Sequence, residues 1–367
     1  MLDMAMRVCI LGAGGLGSLV GGMLAESGLR VTLVGRPEHV DAIRADGLRI
    51  TGISGERRIV GGLDAVTSAE RARGPFDALI LCVKAKDTAS ALRDANGLRS
   101  DAGVVFSLQN TVAKDAALAE WIGRDRVVGA STTEAATLEG AGSVRHIATA
   151  PTAFYFGASK RLDAQKGSEA SSTSRSATTN DRIADPISDP ISDLVANLVD
   201  AFTKAGLSAQ QTDDIEHVEW EKLLQAAVLA AWSVSTLGML PGRSVAEGLV
   251  VREGAEHYVA IAQELLAVYR ALGYEPRDFF HPYSRFRELA SWSFEEAVSG
   301  MRAQGQRMLD IGAVGRPSLH VDLMRGRPTE VEFVLGPFLA EAERLDIPIP
   351  SARAAYRIIR TLEQLLA

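Results

Sequence analysis

The sequence predicts an α/β fold, in which a mostly parallel sheet is covered by helices, followed by an all-helical C-terminal domain. From residue 7 to about residue 212, short β-branched and apolar runs alternate with helical stretches, as in parallel strands joined by crossover helices. After residue 212 the strand patterns fade and long helical stretches dominate. Because 367 residues suit two domains, we place them at 1–212 and 213–367.

The individual elements follow from the apolar runs and their period. Strands are expected at 8–11, 31–34, 78–83, 104–108 and 127–130, together with a hairpin across 48–60 centred on the Ser-Gly pair at 54–55. In the second domain, helices are expected at 215–237, 246–271, 318–325 and 330–344. All the predicted strands therefore belong to the first domain.

Residues 160–193 differ from the rest of the chain in composition. They are rich in Ser, Thr, Ala and Asp, and the tetrad Asp-Pro-Ile-Ser occurs twice in succession at 185–192. With almost no large apolar residue, such a segment buries too little area to offset the entropy lost on ordering. We expect a mobile surface insertion in the first domain, and a loop regulated by serine phosphorylation is the alternative.

Charge and composition argue against several classes of function. The chain has 39 Lys+Arg against 46 Asp+Glu, a formal charge of −7, and no sustained basic run. Neither nucleic acid nor an anionic membrane is therefore an expected partner. No uninterrupted apolar stretch of about 18 residues occurs, so we expect a cytoplasmic protein with Cys9 and Cys82 reduced and packed. The six histidines have no paired ligand spacing, so no metal site is predicted.

A glycine-rich turn joins the first strand to the first helix. It consists of Gly12, Ala13, Gly14, Gly15, Leu16 and Gly17. In such a turn the first glycine permits the sharp bend, the second allows the backbone to approach a pyrophosphate, and the last allows helix and strand to pack closely. The phosphates then lie at the positive end of the helix dipole. The turn predicts a Rossmann-type dinucleotide-binding domain.

Arg36 follows the second strand, where an NAD-specific site would carry an acidic residue for the ribose 2′-hydroxyl. A guanidinium at this place can pair with a 2′-phosphate, which a carboxylate would repel. NADP is therefore the expected cofactor. The alternative is that Arg36 is a solvated loop residue.

Three further polar residues follow predicted elements in order. Lys84 ends the strand at 78–83, Asn110 follows the strand at 104–108, and Lys222 lies near the start of the first long helix. Ser318 and Glu330 follow in the motifs Arg-Pro-Ser-Leu-His-Val-Asp and Arg-Pro-Thr-Glu-Val-Glu. With the glycine turn and Arg36, this ordered set resembles the ketopantoate reductase (2-dehydropantoate 2-reductase) family over nearly the whole chain outside 160–193.

The resemblance implies NADPH-dependent reduction of a 2-oxo acid to a 2-hydroxy acid in a cleft between the two domains. Lys222 would then be the catalytic proton donor, which fits the charge that hydride transfer builds on a carbonyl oxygen. By the same match, Asn110 contacts cofactor and substrate, Ser318 the substrate, and Glu330 and Lys84 the cofactor. A homodimer is a further expectation.

Each of these residues also has a structural alternative. The two lysines can be solvated surface residues, Asn110 and Ser318 can cap helices, and Glu330 can favour a helix dipole.

The match departs from the family pattern beside the lysine. Where the family has asparagines four and eight residues later, this chain has Ala226 and Ala230, on the same helical face as Lys222. Thr111 also stands where glycine is usual. A site that lacks amide partners discriminates poorly in favour of a substrate hydroxyl, so a less polar 2-oxo acid is the alternative substrate. A non-catalytic NADP(H) sensor and a scaffold acting through 160–193 are the alternatives from other functional classes.

Overall fold

The computed structural model describes residues 6–159, 190–312 and 315–366. The expectations for 160–189 lie outside the described residues. The chain divides into two compact units. The first comprises Met1–Gln109 and Ala113–Glu219, and the second comprises Asn110–Val112 and Trp220–Ala367. The division falls within the helix predicted at 215–237, whereas the sequence pattern placed the boundary before that helix.

The first unit is built on a five-stranded parallel sheet. Its strands are β1 (Arg7–Leu11), β2 (Arg30–Val34), β5 (Leu63–Val66), β6 (Phe76–Leu81) and β7 (Ala102–Ser107), in the order β5-β2-β1-β6-β7. The central strand β1 is buried on both faces, which explains its continuous apolar run. The predicted Rossmann-type sheet is thus confirmed. Its edge strand β5 was not predicted, because an aspartate interrupts this short run.

Two smaller sheets complete the strands. The predicted hairpin is confirmed as β3 (Leu48–Gly52) paired with β4 (Arg57–Ile59), and these join β9 (Ala135–Gly140) and β10 (Ser143–Ala148). The strand predicted at 127–130 is β8 (Gly129–Thr132), which pairs with β11 (Phe154–Gly157) in a sheet that also contains β12 (Ala209–Gln211). A bridge between Val105 and Val127 and the edge-to-face packing of Phe106 on Phe156 connect this sheet to the main sheet.

Five helices are described in the first unit: α1 (Gly15–Glu26), α2 (Pro37–Asp46), α3 (Thr88–Asp94), α4 (Lys114–Ile122) and α5 (Pro190–Lys204). Helix α5 corrects one prediction, because the last residues of the segment 160–193 form its first turn. Val195, Leu198 and Phe202 are buried along one face of α5, and this stripe orders the helix.

The second unit is helical, as predicted. Its helices are α6 (Ile215–Leu237, which begins in the first unit), α7 (Val245–Val250), α8 (Arg252–Ala271), α9 (Phe286–Ser291), α10 (Phe294–Asp310), α11 (Ser318–Met324), α12 (Val331–Val334), α13 (Gly336–Arg344) and α14 (Pro350–Leu366). The predicted helix 246–271 is broken at Val251, where the backbone is extended, and a Cβ on Gly254 would collide with the carbonyl of Gly248. The predicted helix 330–344 divides at Leu335 into α12 and α13, although the backbone of Leu335 stays in the right-handed helical region.

Candidate functional site

The glycine turn lies at the carboxyl edge of the parallel sheet. Gly12 has φ +108°, and a Cβ there would lie 2.7 Å from the backbone nitrogen of Val83. The N–H groups of Gly12 and Ala13 both donate to the Val34 carbonyl, at 3.1 and 2.8 Å. Because β1, β2 and the loop after β6 converge here, only glycine fits at position 12.

The other three glycines have different surroundings. A Cβ on Gly17 would collide with the carbonyl oxygen of Gly12, and one on Gly15 would collide with the carbonyl oxygen of Ala136 in β9. A Cβ on Gly14 would meet no atom within 4 Å. Two glycines therefore serve packing, whereas Gly14 borders open space.

The open space adjoins the N-terminus of α1. Gly14 is the N-cap of this helix and provides no side-chain cap, so the N–H groups of its first turn have no partner from that residue. Uncapped amides at a positive helix end are suited to a phosphate group. The residues present thus fit the diphosphate of a dinucleotide. Leu16 packs half-buried against the core of the sheet.

A buried histidine, His39, is hydrogen-bonded to Ser18 on α1. His39 is buried, accepts a hydrogen bond from the Gly142 N–H at Nδ1 (2.9 Å), and has Nε2 2.9 Å from Ser18 Oγ. Burial, followed by the nearby charge of Arg36, lowers the pKa of His39. The neutral ring therefore carries its proton on Nε2 and donates to Ser18. No sequence motif indicated this pair, whose members are 21 residues apart.

Arg36 and Lys84 lie on the same edge of the sheet as the glycine turn. Arg36 is exposed between β2 and α2, and within the described ranges its guanidinium has no hydrogen-bond or ion-pair partner. Lys84 is exposed just beyond β6. Ligands of open α/β sheets bind at this edge, so both cations are placed for an anionic cofactor.

Gln109 and Asn110 follow β7 but belong to different units of the chain. The Gln109 side chain donates to the Val83 carbonyl (2.9 Å) and to Thr88 Oγ1 (2.8 Å), and this ties the end of β7 to the loop after β6. Asn110 is exposed and belongs to the helical unit, together with Thr111 and Val112. Gln109 thus has a structural role that its neighbour lacks.

Lys222 lies on α6 in the helical unit and is half-buried. Its Nζ donates to Gln225 Oε1 (3.3 Å) and lies 5.8 Å from the centroid of the Phe280 ring. Burial lowers the pKa of Lys222 to about 8. A lysine with this pKa is a competent proton donor near neutral pH, because it is charged yet gives up its proton readily.

A buried charge cluster precedes Lys222 in the first unit. Lys114, at the start of α4, pairs with Glu219 on α6 and lies 3.5 Å from Asp115. Ser159 donates to Glu216 at 2.8 Å. Burial, followed by the charge of Asp115, raises the pKa of Glu219 to about 8. The cluster fixes the first turns of α6 against α4, and no local sequence pattern predicts it.

Ser318 and Glu330 lie at the N-terminal ends of two successive helices of the helical unit. Ser318 is exposed at the first position of α11, and Glu330 is half-buried immediately before α12. Arg316 fixes the approach to α11 by donating to the carbonyls of Arg243 (2.7 Å) and Leu240. Thr329 donates to Glu363 through its N–H at 2.7 Å, and this fixes the approach to α12.

The two alanines that follow Lys222 are not equivalent. Ala226 is half-buried, whereas Ala230 is 2% exposed and belongs to the hydrophobic core of the helical unit. Ala226 therefore retains exposed surface near Lys222, whereas Ala230 does not.

Neither a membrane span nor a metal cluster emerges from the described part of the chain. No helix there is long and apolar enough to cross a bilayer. No group of three or more His, Cys, Asp or Glu side chains there could hold a metal ion.

A Rossmann-type sheet with an open glycine turn, followed by a helical unit that carries a half-buried lysine, defines an oxidoreductase with a nicotinamide cofactor. Family models agree with this class. The model of ketopantoate reductase PanE/ApbA matches residues 8–161, and the model of its C-terminal part matches residues 214–363. The chain belongs to the ketopantoate reductase PanE/ApbA family.

Individual relatives match over the full length. The chain is 28% identical over 372 residues to 2-dehydropantoate 2-reductase of Halobacterium salinarum, covering 98% of this chain and 99% of that protein. It is similar to the crystal structure of a PanE/ApbA family ketopantoate reductase from Ralstonia eutropha (TM-score 0.73, 25% identity, 98% and 99% covered). It also shares the fold of a D-mandelate dehydrogenase solved with NADH and anilino(oxo)acetate (TM-score 0.72, 19% identity, 98% and 99% covered).

Proposed function

We propose that the protein reduces a 2-oxo acid to a 2-hydroxy acid with NADPH, and that 2-dehydropantoate is its substrate. The observation that carries the proposal is the environment of Lys222 in a member of this family. This lysine is half-buried, and burial lowers its pKa to about 8. The cofactor, when bound, supplies a hydride to the carbonyl carbon of the substrate. The chain itself must hold the substrate, stabilise the oxyanion and deliver a proton to it.

Lys222 performs the last two of these tasks. Negative charge develops on the carbonyl oxygen as the carbon accepts the hydride, and the nearby ammonium stabilises that charge. The proton then passes from Nζ to the oxygen, leaving neutral lysine and the 2-hydroxy acid. Asn110 and Ser318 are proposed to bind the substrate, and Glu330 and Asn110 to bind the cofactor.

Specificity for NADPH rests on Arg36. Its exposed guanidinium follows β2, without an acidic partner in the described ranges, so it is available to a 2′-phosphate. The test is the ratio of the Kd values for NADH and NADPH, in the wild type and in Arg36→Ala. We expect the ratio to fall in this variant and to be unchanged in Arg44→Ala, which removes the same charge from an exposed position on α2. An Arg36→Ala protein that keeps its preference for NADPH contradicts the assignment.

A second candidate is a reductase of a bulkier, less polar 2-oxo acid. It is favoured by Ala226, which provides apolar surface on the helical face of Lys222 where the family has an amide.

Oxidation of NADPH with each of the two acids separates these candidates. We expect turnover of 2-dehydropantoate to exceed that of the bulkier acid in the wild type. Turnover should be lost in Lys222→Ala but retained in Lys204→Ala, a change at an exposed lysine on α5. Preference for the bulkier acid supports the second candidate. Tight NADPH binding without turnover of either acid contradicts both candidates and indicates a sensor.

A further inference from the structure

Glu221 and Lys222 are adjacent residues on α6, and Glu221 is the more deeply buried of the two. Glu221 is fully buried, and its two carboxylate oxygens accept hydrogen bonds from the N–H groups of Arg277 (2.7 Å) and Phe279 (2.8 Å). Both of these donors lie in the loop between α8 and α9. A buried carboxylate that binds backbone N–H groups holds a loop in one conformation, because each hydrogen bond would be costly to leave unmade.

The far end of the same loop is also fixed. The Asp278 carboxylate accepts hydrogen bonds from the N–H groups of Phe286 (2.6 Å) and Arg287 (3.3 Å) at the start of α9. Ser284 Oγ accepts a hydrogen bond from the Phe280 N–H at 3.3 Å. The loop is therefore attached to α6 on one side and to α9 on the other, and Phe280 lies between these attachments.

Phe280 connects this loop to the proton donor. Its ring is fully buried, and Lys222 Nζ lies 5.8 Å from the ring centroid. The face of an aromatic ring attracts an ammonium group and not a neutral amine. We propose that Phe280, held in place by Glu221, is a positioning residue for Lys222, orienting its ammonium group and favouring the charged form. This proposal rests on the function proposed above for Lys222.

The ring opposes the effect of the surrounding apolar environment. Burial alone disfavours the ammonium and lowers the pKa of Lys222 to about 8. The loop and this part of α6 carry further ionisable groups. They are Glu219, Glu221, Tyr274, Glu275, Asp278, His281 and Tyr283, with Arg277 and Arg285 as fixed charges. Of these, Glu221 and Asp278 accept the backbone hydrogen bonds described above. Without the ring, Lys222 would lose its proton closer to neutral pH, and a larger fraction of it would be uncharged in the site.

The test measures the pKa of Lys222 directly, without substrate. The full chain is labelled with acetic anhydride across a pH series, and the rate at Lys222 is followed by mass spectrometry. In Phe280→Leu and in Phe280→Met we expect this pKa to fall by about 0.5 to 1, so labelling at pH 7 rises about three- to fivefold. Phe279→Leu, which changes the adjacent half-buried ring, should leave the pKa of Lys222 unchanged.

The direction of the change decides the outcome. A pKa that is unchanged or raised in both Phe280 variants overturns the proposal, because water admitted to the vacated space would favour the ammonium. An equal fall in Phe279→Leu also overturns it, since the effect would then come from general loosening of the loop. Because no turnover is measured, a failure of the proposed reductase activity would be seen separately, in the assay with 2-oxo acids.

The role of Glu221 is tested by amide hydrogen exchange. In Glu221→Gln, we expect faster exchange in the peptide that contains Arg277 and Phe279, because the amide oxygen can accept from only one of the two N–H groups well. Exchange as slow as in the wild type overturns this part of the proposal. The charge of Glu221 can influence Lys222 directly, so exchange and not the pKa is the appropriate measurement for this variant.

Discussion

Replacing individual glycines by alanine separates the roles of the glycine turn. Gly14→Ala adds a methyl group where no atom lies within 4 Å, at a backbone conformation of φ −83° and ψ −163°. Alanine is a slightly poorer N-cap than glycine, which destabilises the fold, but it also lowers the entropy of the unfolded chain, which stabilises the fold. These effects nearly cancel, so the free energy of unfolding should stay within about 1 kcal/mol of the wild-type value. The methyl group nevertheless occupies the space that we assign to the pyrophosphate. If one or two charge-assisted hydrogen bonds are lost, the Kd for NADPH rises about 10- to 100-fold.

Two matched variants serve as controls. In Gly17→Ala, the new methyl group would collide with the carbonyl oxygen of Gly12, so α1 must shift at a cost of about 1–3 kcal/mol. Gly28→Ala meets no neighbouring atom but has φ +102°, which costs about 1–2 kcal/mol and should leave NADPH binding unchanged. Only Gly14→Ala should therefore combine normal stability with weak binding.

Thermal unfolding of the ligand-free proteins and fluorescence titration with NADPH provide the two measurements. If Gly14→Ala binds NADPH as the wild type does, the pyrophosphate does not approach the backbone at this residue. If it unfolds at as low a temperature as Gly17→Ala, the space beside Gly14 is not open.

Three further outcomes follow from the helical unit. The kcat/KM for reduction should fall as the pH rises through about 8, because Lys222 must be protonated to act as the acid, and a profile that stays flat to pH 10 contradicts this role. Burial raises the pKa of Glu221 in the folded protein to about 7. Protonation of Glu221 therefore favours the folded state, and this contribution is complete below about pH 4.5 and is lost as the pH rises through about 7. Relative to Glu221→Gln, the wild type should lose about 2–3 kcal/mol in urea unfolding between pH 5 and pH 8, and a constant difference contradicts the raised pKa. In Ala226→Asn, kcat/KM for 2-dehydropantoate relative to a less polar 2-oxo acid should increase about tenfold, and an unchanged ratio means that this face does not contact the substrate.

The sequence could predict those parts of the fold that depend on local patterns. Strands β1, β6 and β7 are largely buried runs, β2 is a short β-branched and apolar run, and α6 begins and ends at the residues predicted. The break at Val251 could not be predicted, because it depends on close packing between Gly248 and Gly254 across two helices. Edge strand β5 likewise forms because β2 provides a hydrogen-bonding partner, not because of its own composition.

The same distinction applies to the candidate site. Gly14 and Arg36 could be singled out because the roles proposed for them depend on position relative to a strand, and strands can be predicted from sequence. Glu221 carries no such signal: in sequence it is a helical glutamate beside a lysine, and its hydrogen-bond partner Arg277 is 56 residues away. Its burial is decided by tertiary contacts alone.

Of the two alanines that stand where the family has asparagines, only Ala226 retains exposed surface. At Ala230 an asparagine amide would be enclosed by the hydrophobic core of the helical unit, where an unpaired polar group costs about 1–3 kcal/mol. At Ala226, which retains exposed surface, an amide could be satisfied by solvent or by a substrate. The core around residue 230 therefore constrains that position to a small apolar residue, while position 226 is free to vary with the substrate. A change of specificity in this chain would accordingly be controlled at Ala226, and the proton transfer that we propose for Lys222 would be left unchanged.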